Sequence, residues 1–197
     1  MTTKEQRDAV RCFGTGSPIY EDYHDEEWGV PIHDDRHLFE LLILEGAQAG
    51  LSWATILKRR ATYRTAFDNF DIQKIANYGP EKVAQLLQDE GIIRNKLKVN
   101  AAIKNANVTL DIQKEFDSLD AYLWKFVYGY PLQPEWPSIN DVQAETPIST
   151  ALSKDLKKRG MTFVGPTIMY AFMQSTGMVN DHQTTCWRQK QVQEMAD

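Results

Sequence analysis

Apolar residues recur three and four places apart along most of this 197-residue chain. No stretch alternates apolar and polar over the roughly four to eight residues that a half-buried strand needs. That pattern predicts an all-α fold. Leu38, Leu41, Leu42 and Glu45 share a helical face behind an N-cap at Asp34 or Asp35. Trp53 to Phe67 continues as helix through Ile56, Leu57 and Tyr63. Asp71 caps a short helix, and Pro80 opens another through Val83, Leu86 and Leu87 that Gly91 ends. A run from Asn95 to Ala106 turns Leu97, Val99, Ala102 and Ile103 inward. Ser118 or Asp120 starts a helix through Val127. Pro131 to Pro147 holds four of the eight prolines and reads as an irregular connection. Ser149 or Thr150 caps a helix ending near Gly160. Phe163 to Met173, apolar on most sides, reads as a central buried helix.

Composition narrows the functional classes. Apolar residues make up 42% and charged residues 25%, ordinary for a folded soluble domain. The apolar run Leu38 to Leu44 is broken by Glu40 and too short for a bilayer. The polar start, MTTKEQRDAV, predicts no secretory signal. Two cysteines make no disulfide framework, so reduced thiols and a cytoplasmic location are expected. A net charge of -5 argues against nonspecific coating of nucleic acid, but the charge is uneven. Glu21 to Glu45 carries nine carboxylates against Arg36. Arg94, Lys96, Lys98 and Lys104 follow one another without an acid, and Lys154 to Arg159 has four bases against Asp155. These are either a local basic face or solvated helix faces.

Four constellations could carry chemistry. His182 and Cys186, spaced H-x3-C, would share one face of a helix. With Cys12 and His24 they make a Cys2His2 set suited to Zn²⁺. The competing reading is two buried thiols and two unrelated histidines. His33 and His37, around Asp34 and Asp35, lack a thiolate and read as a surface helix start. Leu86 to Lys96 is helix, glycine turn, then helix with basic residues. Its backbone N–H groups could hold a phosphate, with Gly91 allowing close approach or positive φ and Arg94, Lys96 and Lys98 adding charge. An ordinary helical hairpin has the same pattern. Leu44 to Trp53 sets Glu45 near an indole, which suits a flat cationic ligand but also fits a core tryptophan and a helix-terminal acid. Tyr23 to Gly29 is dense in aromatics and acids.

Together these pieces are more specific. Arg11-Cys12, Tyr23-His24-Asp25-x-Glu27-Trp28-Gly29-Val30-Pro31, Leu44-Glu45-Gly46-x-Gln48-Ala49-Gly50-Leu51-Ser52-Trp53, Gly91-Ile92-Ile93-Arg94, Leu156 to Gly160 with Phe163-Val164-Gly165, and Val179-Asn180-Asp181-His182-x-x-x-Cys186 occur in that order. The set closely resembles the bacterial 3-methyladenine DNA glycosylase I family from about Arg11 to Cys186. The resemblance implies a helix-hairpin-helix glycosylase fold with a zinc site joining the two ends of the chain. It divides the chain into a tail at 1–10, one domain at 11–187 and a tail at 188–197. Within the domain, zinc-clamped segments lie at about 11–50 and 150–187, around a helix-hairpin-helix region at about 51–149.

The resemblance also implies roles. Cys12, His24, His182 and Cys186 match the ligands of one structural zinc. Tyr23 and Glu45 match residues that hydrogen-bond the excised base, and Trp53 matches the one that stacks on it, with Glu45 the catalytic-site carboxylate. Gly50 and Leu51 match a loop that pushes into the duplex. Gly91, Ile92, Arg94 and Lys96 fall in the hairpin that grips the DNA backbone. The implied reaction is hydrolysis of the N-glycosidic bond of 3-methyladenine in alkylated double-stranded DNA. It releases the free base, leaves an abasic site and begins base excision repair, with no membrane partner; a monomer is expected from the chain's size. Asp155 and Asp181 are the candidates for any water-activating aspartate. Two other classes remain at this point: a metal-dependent hydrolase using His33, Asp34 and His37, and a noncatalytic zinc-clamped module that binds damaged DNA.

Overall fold

The computed structural model describes residues 10–195. The expected tail at 1–10 thus lies, apart from Val10, outside the described residues, as do the last two positions of the tail expected at 188–197. The helices are α1 (Pro18–Glu26), α2 (Asp35–Gln48), α3 (Trp53–Leu57), α4 (Arg60–Ala66), α5 (Ile72–Ala76), α6 (Pro80–Gln88), α7 (Lys96–Phe116), α8 (Leu119–Trp124), α9 (Pro147–Arg159), α10 (Pro166–Ser175) and α11 (Trp187–Glu194). Turns of 3-10 helix lie at Asp68–Phe70, Lys125–Val127 and Ile139–Asp141. No strand occurs among the described residues, and one parallel bridge joins Leu132 and Val179. No described helix is long and apolar enough to cross a membrane.

α2 is the axis of the molecule. Leu38 to Ala47 are all buried, because α3, α7, α8 and α10 pack around it. Both aspartates at its start are used, in different ways. Asp34 is the N-cap and accepts from the His37 amide. Asp35 reaches across to accept from the Leu119 and Asp120 amides at 2.9 and 2.8 Å, capping α8. The His33–His37 pair does not converge: His33 contacts Asp120, and His37 faces Arg60. That removes the hydrolase site drawn from these residues.

Several expected boundaries move, each for a local reason. The helix expected over 53–67 breaks at Lys58 and Arg59, which lets Arg60 turn back onto Glu40 at 2.6 Å and onto Glu27. α7 runs on to Phe116 and ends at Asp117 in the left-handed region, φ 69. Leu97, expected inward, is 69% exposed, because it sits in the first turn of α7 beyond the core. The cap of α9 is Thr146. Pro147 is tolerated in the first turn, and Ser149 closes a capping box from N3. α10 starts at Pro166, because Phe163 has φ 56 and cannot belong to a helix. The segment after Trp187 is no simple tail, since it forms α11 and buries Val192 completely.

Candidate active site and metal centre

Two distant parts of the chain meet beside α1. Cys12 lies in the irregular entry to α1, and His24 on the last turn of that helix. His182 lies in the loop before α11, and Cys186 is the N-cap of α11. The helical i,i+4 pairing expected for His182 and Cys186 is not what joins them. The loop folds back and brings Cys186 Sγ to 3.4 Å from His182 Nδ1. All four residues are buried, with ligand atoms within 4.8 Å of one another.

The donor chemistry fits a metal ion. His24 Nδ1 is 2.8 Å from Asp25 Oδ1, and a carboxylate only accepts, so Nδ1 carries the proton and Nε2 faces inward without one, accepting from the Cys12 amide at 3.2 Å. Arg11 in turn holds Asp25 with two nitrogens, at 2.9 and 2.7 Å. His182 Nε2 is 2.9 Å from the Trp28 carbonyl, which fixes the opposite tautomer and leaves Nδ1 bare. His24 Nε2 lies 3.4 Å from Cys186 Sγ, and His182 Nδ1 lies 3.6 Å from Cys12 Sγ. Ligands on a tetrahedral ion with bonds of about 2.0–2.3 Å stand roughly 3.3–3.8 Å apart. Pairing with Cys12, aided by His182 and His24, pulls the Cys186 thiol down against its burial. The same pairing pushes Cys12 up. The cluster therefore already favours one thiolate, and a cation favours both.

The metal cluster shares a wall with a cleft of about 390 Å³. Phe13, Tyr20, Tyr23, Trp28, Glu45, Gln48, Trp53, Ile139, Val142, Ala171 and Gln174 line it, and its size is ordinary for a small-ligand site. Phe13 stands edge-on to both His24 and Trp28, with ring centres 5.1 and 4.9 Å apart. The Tyr23 and Trp53 rings are 5.6 Å apart, and Trp53 Nε1 is buried without a hydrogen-bond partner among the described residues. Glu45, on the last turns of α2, is only 4% exposed. Burial pushes its carboxyl up to about 8, against the opposing hydrogen bond of the Ser175 hydroxyl. No cation pairs with it among the described residues. A buried carboxyl without a counter-ion, in a cleft lined by aromatic rings, can ionise against a flat, positively charged ligand.

The sequence matches the family model described as methyladenine glycosylase over residues 13–189. The chain belongs to that family. The Haemophilus influenzae protein "DNA-3-methyladenine glycosylase" is 46% identical over 178 residues, spanning 90% of this chain and 96% of that protein. A crystal structure of 3-methyladenine DNA glycosylase I superposes with a TM-score of 0.88 at 48% identity, covering 90% of this chain and 98% of that one. A structure of the Staphylococcus aureus 3-methyladenine DNA glycosylase I, described as the structural basis of 3-methyladenine recognition, also gives 0.88, at 35% identity, covering 90% of this chain and 95% of that one.

The hairpin expected around Gly91 is the turn between α6 and α7. Gly91 is glycine because a Cβ there would meet Thr62 Cβ at 2.8 Å, and not because φ is positive. Its amide is taken by Asp89 and its carbonyl by Thr62. Ile92 is buried, whereas Arg94 and Lys96 are exposed, and Arg94 is 3.6 Å from Glu90. Lys98 departs from expectation. It does not face outward with them, because its ammonium is bound to the carbonyls of Ala47 and Ala49. Gly50 and Leu51 form an exposed turn between Gln48 and Trp53, which both line the cleft, with Leu51 38% exposed. Asp155 is bound to Tyr122 and Arg159, and Asp181 to Trp136 and Gln174, and neither carboxylate lines the cleft.

Sequence reasoning missed Phe13, Gln48 and Gln174 in the cleft. Gln48 carried a signal, since it lies one helical turn beyond Glu45 on α2. Phe13 carried one too, beside Cys12. Gln174 carried none before α10 was placed.

Proposed function

We propose that this protein is a DNA-3-methyladenine glycosylase: it flips 3-methyladenine from alkylated DNA, hydrolyses the N-glycosidic bond and leaves an abasic site for base excision repair. The observation that carries this reading is Glu45, a buried carboxyl with no counter-ion, facing a cleft of aromatic rings in a chain of the methyladenine glycosylase family.

The chemistry follows from the ligand's charge. Methylation at N3 makes the adenine cationic within DNA. As the C1′–N9 bond breaks, its electron pair goes to N9 and the base leaves neutral, so no general acid is required. The sugar left behind resembles an oxocarbenium ion, and water adds at C1′ and gives up its proton. The protein's task is to remove the base from the stack, at a cost of a few kcal/mol that damage lowers, and to select it. Trp53 supplies a stacking face, Tyr23 hydrogen-bonds the base, and Glu45 accepts from the exocyclic amine. With the cleft empty, Glu45 keeps its proton at neutral pH. A cationic base favours the ionised form, and a neutral normal purine leaves it buried and protonated.

Cys12, His24, His182 and Cys186 are read as the ligands of one Zn²⁺. Four protein ligands fill a tetrahedral shell, so the ion's contribution is structural: it ties the entry to α1 to the loop before α11. Arg94 and Lys96, whose backbone amides make no hydrogen bond among the described residues, are read as phosphate contacts of a duplex. The same reading places a monomer in the cytoplasm, working on chromosomal DNA.

Incubating the protein with methylated DNA and separating the released bases tests this function. Free 3-methyladenine and an abasic site are expected. Retention on methylated DNA with no base released would make it a noncatalytic damage-binding module.

A further inference from the structure

Lys98 is the one base of the hairpin region that turns inward. It stands in the first turn of α7, half-buried, and its Nζ donates to the Ala47 and Ala49 carbonyls, both at 2.7 Å. No carboxylate pairs with it among the described residues. The two carbonyls belong to the C-terminus of α2, a helix with no basic residue in its own last turn. A distant helix thus supplies the cation that the negative end of α2 favours.

That helix end leads directly into the exposed turn. Gly50 has φ 78, a left-handed conformation natural to glycine after a helix. The Leu51 amide donates to the Gln48 carbonyl at 2.7 Å, and the Gln48 side-chain amide donates back to the Leu51 carbonyl at 2.6 Å. Ser52 then caps α3, which carries Trp53. The turn is therefore closed from one side by Gln48, which also lines the cleft, and from the other by Lys98 on the hairpin helix.

We propose that Lys98 is a positioning residue for base flipping: it binds no phosphate, but locks the Gly50–Leu51 turn to the hairpin helix, so that the part gripping the backbone and the part entering the duplex move as one body. A turn that pushes into stacked bases must not yield, and an unclasped one must be ordered during flipping. This rests on the glycosylase reading given above.

The test compares single-turnover base release by wild type and Lys98→Met on methylated duplex and methylated single-stranded DNA. Single strands need no wedge. The expected result is release from duplex slowed about 10- to 100-fold. Release from single strands, the affinity for free 3-methyladenine and the slope of log affinity against log salt should match wild type. Equal losses on both DNAs would reduce Lys98 to general structure and overturn the proposal, as would no loss on duplex. A slope smaller by about 0.9 would make it a phosphate contact instead. Should Lys98→Met not fold, Lys98→Gln, which keeps a neutral donor, carries the same comparison. A wild type that releases base from neither DNA would defeat the glycosylase reading and this proposal with it, whereas the losses named above overturn the proposal alone.

Discussion

The molecule holds together in two different ways. Around α2 the core is aliphatic and aromatic, with Leu38, Phe39, Leu44, Ile56, Ile75, Leu156 and Phe172 fully covered. Beside α1 a smaller cluster gathers Cys12, Tyr23, Trp28, Leu57 and Cys186 around two buried imidazoles. The first is stabilised by removal of apolar surface from water, which needs no partner. The second buries thiols and histidine nitrogens whose inward atoms are all acceptors or acids, an arrangement that is costly alone and favourable around a cation. The cleft lies against the second. An ion held there would stiffen its wall, made by Phe13, Tyr23 and Trp28.

The largest effect should come from breaking that ion site. Cys186→Ala is expected to lose the metal, about one equivalent of zinc by elemental analysis, and several kcal/mol of stability. Because Trp28 and Phe13 contact the ligands, affinity for free 3-methyladenine should fall as well. Full zinc content, or unchanged base affinity after zinc loss, would separate the two regions that the structure joins. Leu156→Ala in the main core sharpens the contrast. It should cost about 2–5 kcal/mol in denaturant unfolding while zinc content and base affinity stay as in wild type.

A smaller effect belongs to Glu45. Its carboxyl is raised from an ordinary 4.5 to about 8, so between these values the folded protein binds more protons than the unfolded one. Wild-type stability should therefore fall as pH rises from about 4.5 to 8. Glu45→Gln should lack that slope and be the more stable of the two at pH 8, by up to a few kcal/mol. Parallel stability curves would show that the cleft hydrates this carboxyl. The smallest effect is at the hairpin, where Arg94→Ala should leave stability unchanged and reduce the salt slope of DNA binding by about 0.9.

The main core was legible because period and caps are local. Asp34, Asp71, Pro80 and Ser118 mark the starts they were expected to mark. Where the boundary depended on something distant, the sequence misled. Arg60 splits a helix for the sake of Glu40, Thr146 displaces Ser149 as a cap, and Lys98 leaves the basic face for the end of α2. The metal set could not be separated by spacing from four unrelated residues, since 158 positions separate His24 from His182 and their meeting is tertiary. Its legibility came from the ordered motifs of the family. Glu45 is legible as a carboxylate near an indole, but its burial and missing counter-ion are properties of the packed cleft.

The most direct measurement is single-turnover release of 3-methyladenine from methylated duplex DNA by wild type, Glu45→Gln and Trp53→Ala, each first shown to be folded and zinc-loaded. Glu45→Gln keeps an acceptor oxygen but cannot ionise against the cationic base. A charge-assisted hydrogen bond is about twice as strong as a neutral one, so release should slow by about 5- to 30-fold, or about 1–2 kcal/mol. The wild-type rate should also rise with pH toward 8 as Glu45 ionises more readily, and Glu45→Gln should not share that rise. Trp53→Ala should lose at least as much, because base stacking is worth about 1–3 kcal/mol. Wild-type rates from both folded variants would show that the base is recognised elsewhere and contradict the account.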